Sequence, residues 1–286
     1  MDVQEHQGGI RRMAVGQLAA GTAGLAWLGQ AGFAIRYEDR FLLIDPYLSD
    51  RLAEKYRGAD LPHVRLMPPP IPPHALRGVD WVLVTHRHGD HMDPGTLPVI
   101  AQHNPQCRFV VPRAELEAAL AIGLPADRTV SIEAEESLRL GADCEAIATA
   151  SAHETLRIDP LGQHHFLGYI LRLGALVVYH SGDCVPYPGL AERIRRERVQ
   201  LALLPVNGRD EFRRTHGVPG NMTADEAWLL SEAAGAAWLV PHHFGMFDFN
   251  TIEPAALERL AQRSSDGLRC LVPSVDRHFI LNRSLP

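Results

Sequence analysis

The sequence predicts an α+β domain in which two stacked β-sheets are covered by helices. Three observations predict it. Strand-like apolar runs come in two blocks, each block is followed by segments of helical pattern, and nothing resembling a linker separates them. With 286 residues, 46% of them hydrophobic, the chain can bury one large core or two modest ones, and disorder is excluded.

Residues 1–23 are read as an extension ahead of a single domain spanning 24–286. In the extension Arg11-Arg12 precede a Gly/Ala-rich apolar run over 13–27, in the manner of a twin-arginine signal. Gln17 and Thr22 interrupt that run and it passes directly into the first strand, so no signal peptide is expected. Strands are predicted at 24–28, 33–37, 41–44 and 81–85. The stretch 66–73 is too rich in proline for a helix or a central strand and reads as a rigid extended connector. A histidine-rich loop after Thr85 leads to a helix with Asp93 as N-cap and Pro94 as first helical residue. A strand at 108–111 and a helix at 114–122, closed by Gly123, come next. Strands recur at 144–150, 167–173 and 176–180, before a helix at 190–196 and a strand at 201–206. Thr223-Ala-Asp-Glu226 is a capping-box pattern that opens a helix running to about Ala234. A strand at 237–240 runs into Pro241-His242-His243, and a helix at 254–263 with strands at 268–272 and 278–281 completes the prediction.

Bulk composition narrows the function classes. A formal charge of −6 supplies no basic field for nucleic acid or an anionic membrane. No uninterrupted apolar run reaches the length of a membrane span. Cys107, Cys144, Cys184 and Cys270 lie far apart with no CxxC pair, so neither a zinc ribbon nor a disulfide scaffold is indicated and a reduced, cytoplasmic setting is expected. The residue in excess is histidine, at 15. It is both a proton carrier near neutral pH and the commonest metal ligand.

The histidines concentrate at Thr85-His86-Arg87-His88-Gly89-Asp90-His91, directly after an apolar strand. A loop can turn His86 and His88 to one cation while Asp90 and His91 face another. Imidazole and carboxylate suit zinc, manganese or iron. Burying three imidazoles and an aspartate without metal would leave unpaired polar groups. One cluster supplies too few ligands, and three further candidates share the same context at the end of an apolar strand: His153, Asp183 and His243. Together they complete two ligand sets.

The motif His86-x-His88-x-Asp90-His91, with Asp45 in Leu-Ile-Asp-Pro upstream, resembles the metallo-β-lactamase superfamily. Within it, the chain from about Leu25 to Pro254 is similar to the ascorbate-6-phosphate lactonase (UlaG-like) branch. The strings that carry this are Trp27-Leu-Gly-Gln-Ala-Gly-Phe33, Ile44-Asp-Pro-Tyr-Leu-Ser-Asp50, Tyr179-His-Ser-Gly-Asp183, Gly220-Asn-Met-Thr-Ala-Asp-Glu226 and Pro241-His-His-Phe-Gly-Met-Phe247. The resemblance implies an αββα sandwich of two stacked mixed β-sheets flanked by helices, with two divalent ions, Mn2+ or Zn2+, at one edge. It implies that His86, His88 and His153 hold the first ion, that Asp90, His91 and His243 hold the second, and that Asp183 bridges them.

Two such ions bring a shared water toward neutral pKa, and the resulting hydroxide attacks a carbonyl or phosphoryl centre while the ions stabilise the oxyanion. Asp90 and Asp183 are the expected catalytic carboxylates, Asp90 steering the hydroxide. Asp45 and His180 are expected behind the ligands, fixing their orientation. Arg209, His164 and His165 are candidate substrate-binding groups, Arg209 as a bidentate anion clamp; solvent exposure or a surface salt bridge is the alternative for each. The expected function is metal-dependent hydrolysis of a small anionic molecule, with opening of a sugar-lactone phosphate first. A phosphodiesterase is the alternative, and a non-catalytic metal-binding protein a third reading, against which all the ligand positions are filled. The expected partner is the small substrate, with a homo-oligomer suggested by the resemblance to oligomeric lactonases.

Overall fold

Short runs of β-branched, aromatic and small apolar residues form two eight-stranded sheets in the computed structural model, which describes residues 1–265 and 267–282. Seven strands of the first sheet come in chain order: β1 (Asp2–Gln7), β2 (Ala23–Gly29), β3 (Gly32–Tyr37), β4 (Arg40–Ile44), β5 (Trp81–Leu83), β6 (Arg108–Pro112) and β7 (Thr129–Ile132). The second sheet takes the next eight: β8 (Ser137–Gly141), β9 (Cys144–Ala150), β10 (Leu167–Leu173), β11 (Leu176–His180), β12 (Leu201–Pro205), β13 (Trp238–His242), β14 (Ser264–Ser265) and β15 (Leu268–Cys270). The last strand, β16 (Arg277–Asn282), returns to the first sheet between β1 and β2. Each sheet is mixed. Antiparallel pairing joins β2, β3 and β4, and parallel pairing continues through β5, β6 and β7. In the second sheet β8 to β11 are antiparallel neighbours, whereas β11, β12, β13 and β15 run parallel.

Period-two alternation explains the layering. On β2, Leu25 and Trp27 belong to the apolar cluster that includes Tyr169, Leu171 and Tyr179 of the second sheet. Ala26 and Leu28, on the opposite face, join Leu97 and Ile100 of a helix. The strand is therefore buried on both sides, as expected for a sheet lying between another sheet and a helical layer. Helices α1 (Gly9–Met13), α2 (Arg51–Lys55), α3 (Leu97–His103), α4 (Leu116–Ala121), α5 (Leu190–Arg196), α6 (Glu211–Thr215), α7 (Ala224–Ala234) and α8 (Pro254–Gln262) accompany the sheets. On α7, Trp228 is almost fully buried, and both hydrogen bonds of the capping box at Thr223 and Glu226 are present. The fold is an αββα sandwich.

Several boundaries differ from the sequence reading. Residues 1–23, expected as an extension, contain β1, which pairs with β16, and α1, which buries Ile10 and Met13. Strand β1 has little apolar pattern, and its partner lies at the far end of the chain, so no local signal marks it. Helix α3 begins at Leu97 rather than at Pro94. The Asp93 carboxylate instead closes the preceding turn, accepting from Gly95 N (2.8 Å), Thr96 Oγ1 (2.5 Å) and Ser49 Oγ (2.7 Å). Strands β7, β8 and β14 and helices α2 and α6 have no counterpart in the sequence reading; α6 starts where Asp210 accepts from Arg213 N at 2.8 Å. Among the described residues no helix is long and apolar enough to cross a membrane.

Candidate metal centre

The carboxyl ends of the strands converge at one edge of the sandwich, where the chain leaves each strand and polar side chains can face a common space. Asp45 follows β4, His86 to His91 follow β5, His153 follows β9, Asp183 follows β11 and His243 follows β13. One ligand atom from each of His86, His88, His153 and Asp183 lies within 4.8 Å of the others, and the same holds for Asp90, His91 and His243. Asp183 also faces the second group, with Oδ1 3.3 Å from His91 Nε2 and Oδ2 3.3 Å from His243 Nε2. The structure thus brings all seven predicted ligand residues together.

Backbone strain helps to place them. Asp45 has φ of 44° and His243 φ of 61°, in the left-handed region that side-chain-bearing residues rarely occupy. Gly182 (φ 61°) has a different reason to be glycine. A Cβ there would lie 2.8 Å from Leu167 O and from Thr85 Cβ, so only a bare backbone lets the Asp183 loop close on Thr85.

Hydrogen bonds behind the cluster set the imidazole tautomers. Asp45, fully buried, accepts from Thr85 N (2.8 Å), Thr85 Oγ1 (2.6 Å) and His91 Nδ1 (2.7 Å). Since Thr85 Oγ1 donates to Asp45, it is free to accept from His86 Nδ1 at 3.0 Å. His153 Nδ1 donates to Gly220 O at 3.1 Å. His91 and His153 are thus bonded through Nδ1 and, as neutral rings, turn the lone pair of Nε2 to the cluster, while His86 Nε2 also lies 3.0 Å from His88 Nδ1. His180 donates from Nε2 to Ala31 O and accepts at Nδ1 from Gly182 N, so it holds the loop one residue before Asp183. Ser151 Oγ holds the same loop through the carbonyls of Ser181 and Asp183.

The electrostatics fit a cation-binding cluster. Burial, aided by neighbouring imidazoles, keeps His86 and His88 neutral, with His88 lowered to about 4. Burial also lowers His153, although Asp183 opposes it. Burial disfavours charge on His243 as well, but Asp183 and Asp90 outweigh it and raise its pKa to about 9. His91 is raised for the same reason by Asp183, Asp45 and Asp90. Burial opposes ionisation of Asp90 and Asp183, yet His91 and His243 hold both carboxyls below their usual range. His91 Nε2 and Asp183 Oδ1 are buried 3.3 Å apart with no other hydrogen-bond partner. Buried polar atoms are rarely left with so little satisfaction, and a divalent cation held by this imidazole and carboxylate would supply it.

In the metal-free protein two protons therefore stand where cations would bind. Loading chelator-stripped protein with zinc at pH 7 is expected to release at least about two protons per chain, from His91 and His243, with any proton lost by a metal-bound water adding to them, read by an indicator in weak buffer. Absence of release would contradict these charge states. Because His243 is raised from 6.5 to about 9, its protonated form stabilises the metal-free fold fully below pH 6.5, and this stabilisation is lost as pH rises through 9. The metal-free Tm should fall across that window.

The cluster forms one side of a cavity of about 510 Å³. His88, Asp90, His153, Asp183 and His243 line it, together with Lys55, Arg87, His63 and His216. Arg209, His164 and His165 do not, contrary to the substrate-binding expectation. Arg209 holds Glu226 bidentately at 2.6 Å through both terminal nitrogens, within the capping box. His164 Nδ1 pairs with Glu133 at 2.6 Å and His165 Nδ1 with Glu115 at 2.5 Å. Each finds a carboxylate distant in sequence, which no local pattern discloses. Sequence reading also missed Gln30, at the turn between β2 and β3 with φ of 51°. Its Nε2 donates to Asp90 Oδ2 at 2.8 Å and lies 3.1 Å from His243 Nε2, while its backbone carbonyl accepts from His243 N. The only available signal was its place in the Trp27–Phe33 string.

Comparison with known proteins gives concordant matches. The model of the beta-lactamase superfamily domain matches residues 40–244. A UPF0173 metal-dependent hydrolase of Caldivirga maquilingensis is 25% identical over 248 residues, covering 87% of this chain and 93% of its own. A probable L-ascorbate-6-phosphate lactonase UlaG of Escherichia coli is 21% identical over 281 residues, covering 88% of this chain and 78% of its own. Among solved structures, isothiocyanate hydrolase from Delia radicum gut bacteria aligns with a TM-score of 0.68 at 19% identity, covering 89% of this chain and 98% of that one. At that identity the likeness concerns the fold alone.

Proposed function

The chain belongs to the beta-lactamase superfamily, and from that premise we propose that it is a metal-dependent hydrolase of a small anionic substrate, acting as a lactonase on a sugar-lactone phosphate. The observation that carries the hydrolase reading is the convergence of seven imidazole and carboxylate side chains beside a cavity of ligand size. In this reading His86, His88 and His153 hold one divalent cation and Asp90, His91 and His243 a second, with Asp183 facing both. Zinc and manganese both suit this donor set. Bound cations would supply Lewis-acid activation of a water and of the electrophilic centre.

The remaining work falls to the chain itself. Asp90 has its Oδ2 held by Gln30, and its side chain is 15% exposed against 5% for Asp183. It is the carboxylate best placed to orient an attacking water by accepting its hydrogen bond. Asp45 keeps His91 in one tautomer throughout. Lys55 and Arg87, on the cavity wall, supply the positive charge that an anionic substituent needs, the role first expected of Arg209. The name of the Escherichia coli relative supports the lactone class.

Steady-state assays across sugar-lactone phosphates and cyclic or linear phosphodiesters test this. Lactone turnover that stops with chelator and returns with metal is the expected result. Turnover of diesters alone would replace the lactonase reading by a phosphodiesterase, and elemental analysis showing no metal in protein purified without chelator would overturn both.

A further inference from the structure

Arg213 is a cation buried to 7% exposure on a helix that no catalytic expectation mentioned. Its Nε donates to Asp210 Oδ2 at 2.6 Å, and its Nη1 donates to Asn207 O at 2.9 Å and to Asn250 Oδ1 at 2.8 Å. Asn207 Nδ2 donates to the same Asn250 oxygen at 2.7 Å. The Arg213 carbonyl in turn accepts from Val218 N at 2.9 Å. Three segments are thereby tied together: the turn after β12, the loop after α6 and the 247–250 turn. The last two line the cavity, through His216 to Pro219 and through Phe247 and Asn250.

This network determines which way the Asn250 amide points. A guanidinium can only donate, so the group facing Arg213 must be the carbonyl oxygen, and a flipped amide would set donor against donor. Asn250 Nδ2 then donates to no group among the described residues, and Asn250 is one of the residues lining the same cavity as the His/Asp cluster. Building on the hydrolase reading above, we propose that the Asn250 amide is a substrate-binding donor whose Nδ2–H holds a carbonyl or phosphoryl oxygen of the substrate, with Arg213 and Asn207 as its positioning residues. Both lone-pair directions of Oδ1 are occupied, so the donor is held in place before substrate arrives. A neutral donor fixed in this way stabilises a developing oxyanion without reorganising during the reaction.

The test uses zinc-loaded protein and two variants. Asn250→Asp keeps an oxygen for Arg213 and Asn207 but removes the donor; Asn250→Ala removes the donor without adding charge. Both are expected to retain the wild-type zinc content and to lose about 100-fold in kcat/KM on whichever panel substrate is turned over. A loss in Asn250→Asp alone would assign the effect to charge and overturn the proposal, as would wild-type kcat/KM in both. Independently, 15N-labelled protein is titrated with inorganic phosphate, the Asn250 side-chain amide being the pair absent from the Asn250→Asp spectrum. Its resonances should move with added phosphate, and an unmoved pair overturns the proposal. Failure of the hydrolase reading looks different: the wild-type holoenzyme turns over nothing in the panel, and the phosphate titration then decides Asn250 by itself.

Discussion

Asp183→Ala is expected to leave the protein with fewer than two bound ions per chain and to lower hydrolysis by about 1,000-fold or more. Its carboxylate faces both groups of ligands, lying 3.3 Å from His91 Nε2 through one oxygen and 3.3 Å from His243 Nε2 through the other, with His153 Nε2 at 3.5 Å. Removing it takes away the negative charge that, in the two-ion reading proposed above, both cations would share. Metal-ion stabilisation of a transition state amounts to several kcal/mol, and each 1.36 kcal/mol is a factor of ten in rate, which sets the expected loss. The variant also removes the counter-charge that helps to raise His91 and His243 in the metal-free protein. Both should therefore titrate lower, and the proton release on zinc loading at pH 7 should shrink. Elemental analysis, kcat/KM and the proton count form one internally consistent set. Full retention of both ions would show that Asp183 does not bridge.

Asp45→Asn should weaken metal binding by a factor of about 10–100 although Asp45 lies among none of the ligands. The native carboxylate accepts three hydrogen bonds in a fully buried position, and the one from His91 Nδ1 leaves His91 Nε2 with its lone pair. An asparagine has one acceptor oxygen and one NH2 group. If the NH2 faces His91, Nδ1 must accept, the ring proton moves to Nε2, and the ligand atom is blocked. If the NH2 faces Thr85 instead, the buried backbone N–H of Thr85 loses its acceptor, at a cost of about 1–3 kcal/mol. Chelator competition for zinc reads the first outcome and thermal denaturation of the metal-free protein the second. An unchanged zinc affinity would mean that His91 orientation is held by other contacts. Asp45→Ala is the harsher variant, because it removes at once the acceptor of Thr85 N, Thr85 Oγ1 and His91 Nδ1, and it should lower Tm further.

Legibility from sequence followed the range of the interactions involved. Strands β9, β10 and β11 and helices α5 and α7 appear with the predicted limits because their signals are local: continuous apolar runs bounded by polar turns, and a capping box at Thr223. The strand at Asp2–Gln7 escaped notice because its only partner is Arg277–Asn282 and its side chains are almost all exposed. Residue type and position before Pro94 predict Asp93 as an N-cap. In the structure it caps a turn one step earlier, because Ser49, Gly95 and Thr96 supply the donors.

The site divides in the same way. The candidate donor set is legible in the order of residues alone: it shows which imidazoles and carboxylates stand at strand ends, and so which class of cation they would suit. That information is local, since a ligand needs only its residue type and a strand end to carry it. Tertiary structure decided everything that depends on which charge meets which partner. It placed Arg209 on Glu226, His164 on Glu133 and His165 on Glu115, and left Lys55, Arg87 and Asn250 to line the cavity. An arginine or histidine in a loop carries the same capacity to bind an anion wherever it lies. Whether a substrate or a carboxylate of the protein takes up that capacity is determined by distances between segments far apart in the chain, which no local pattern of residues contains.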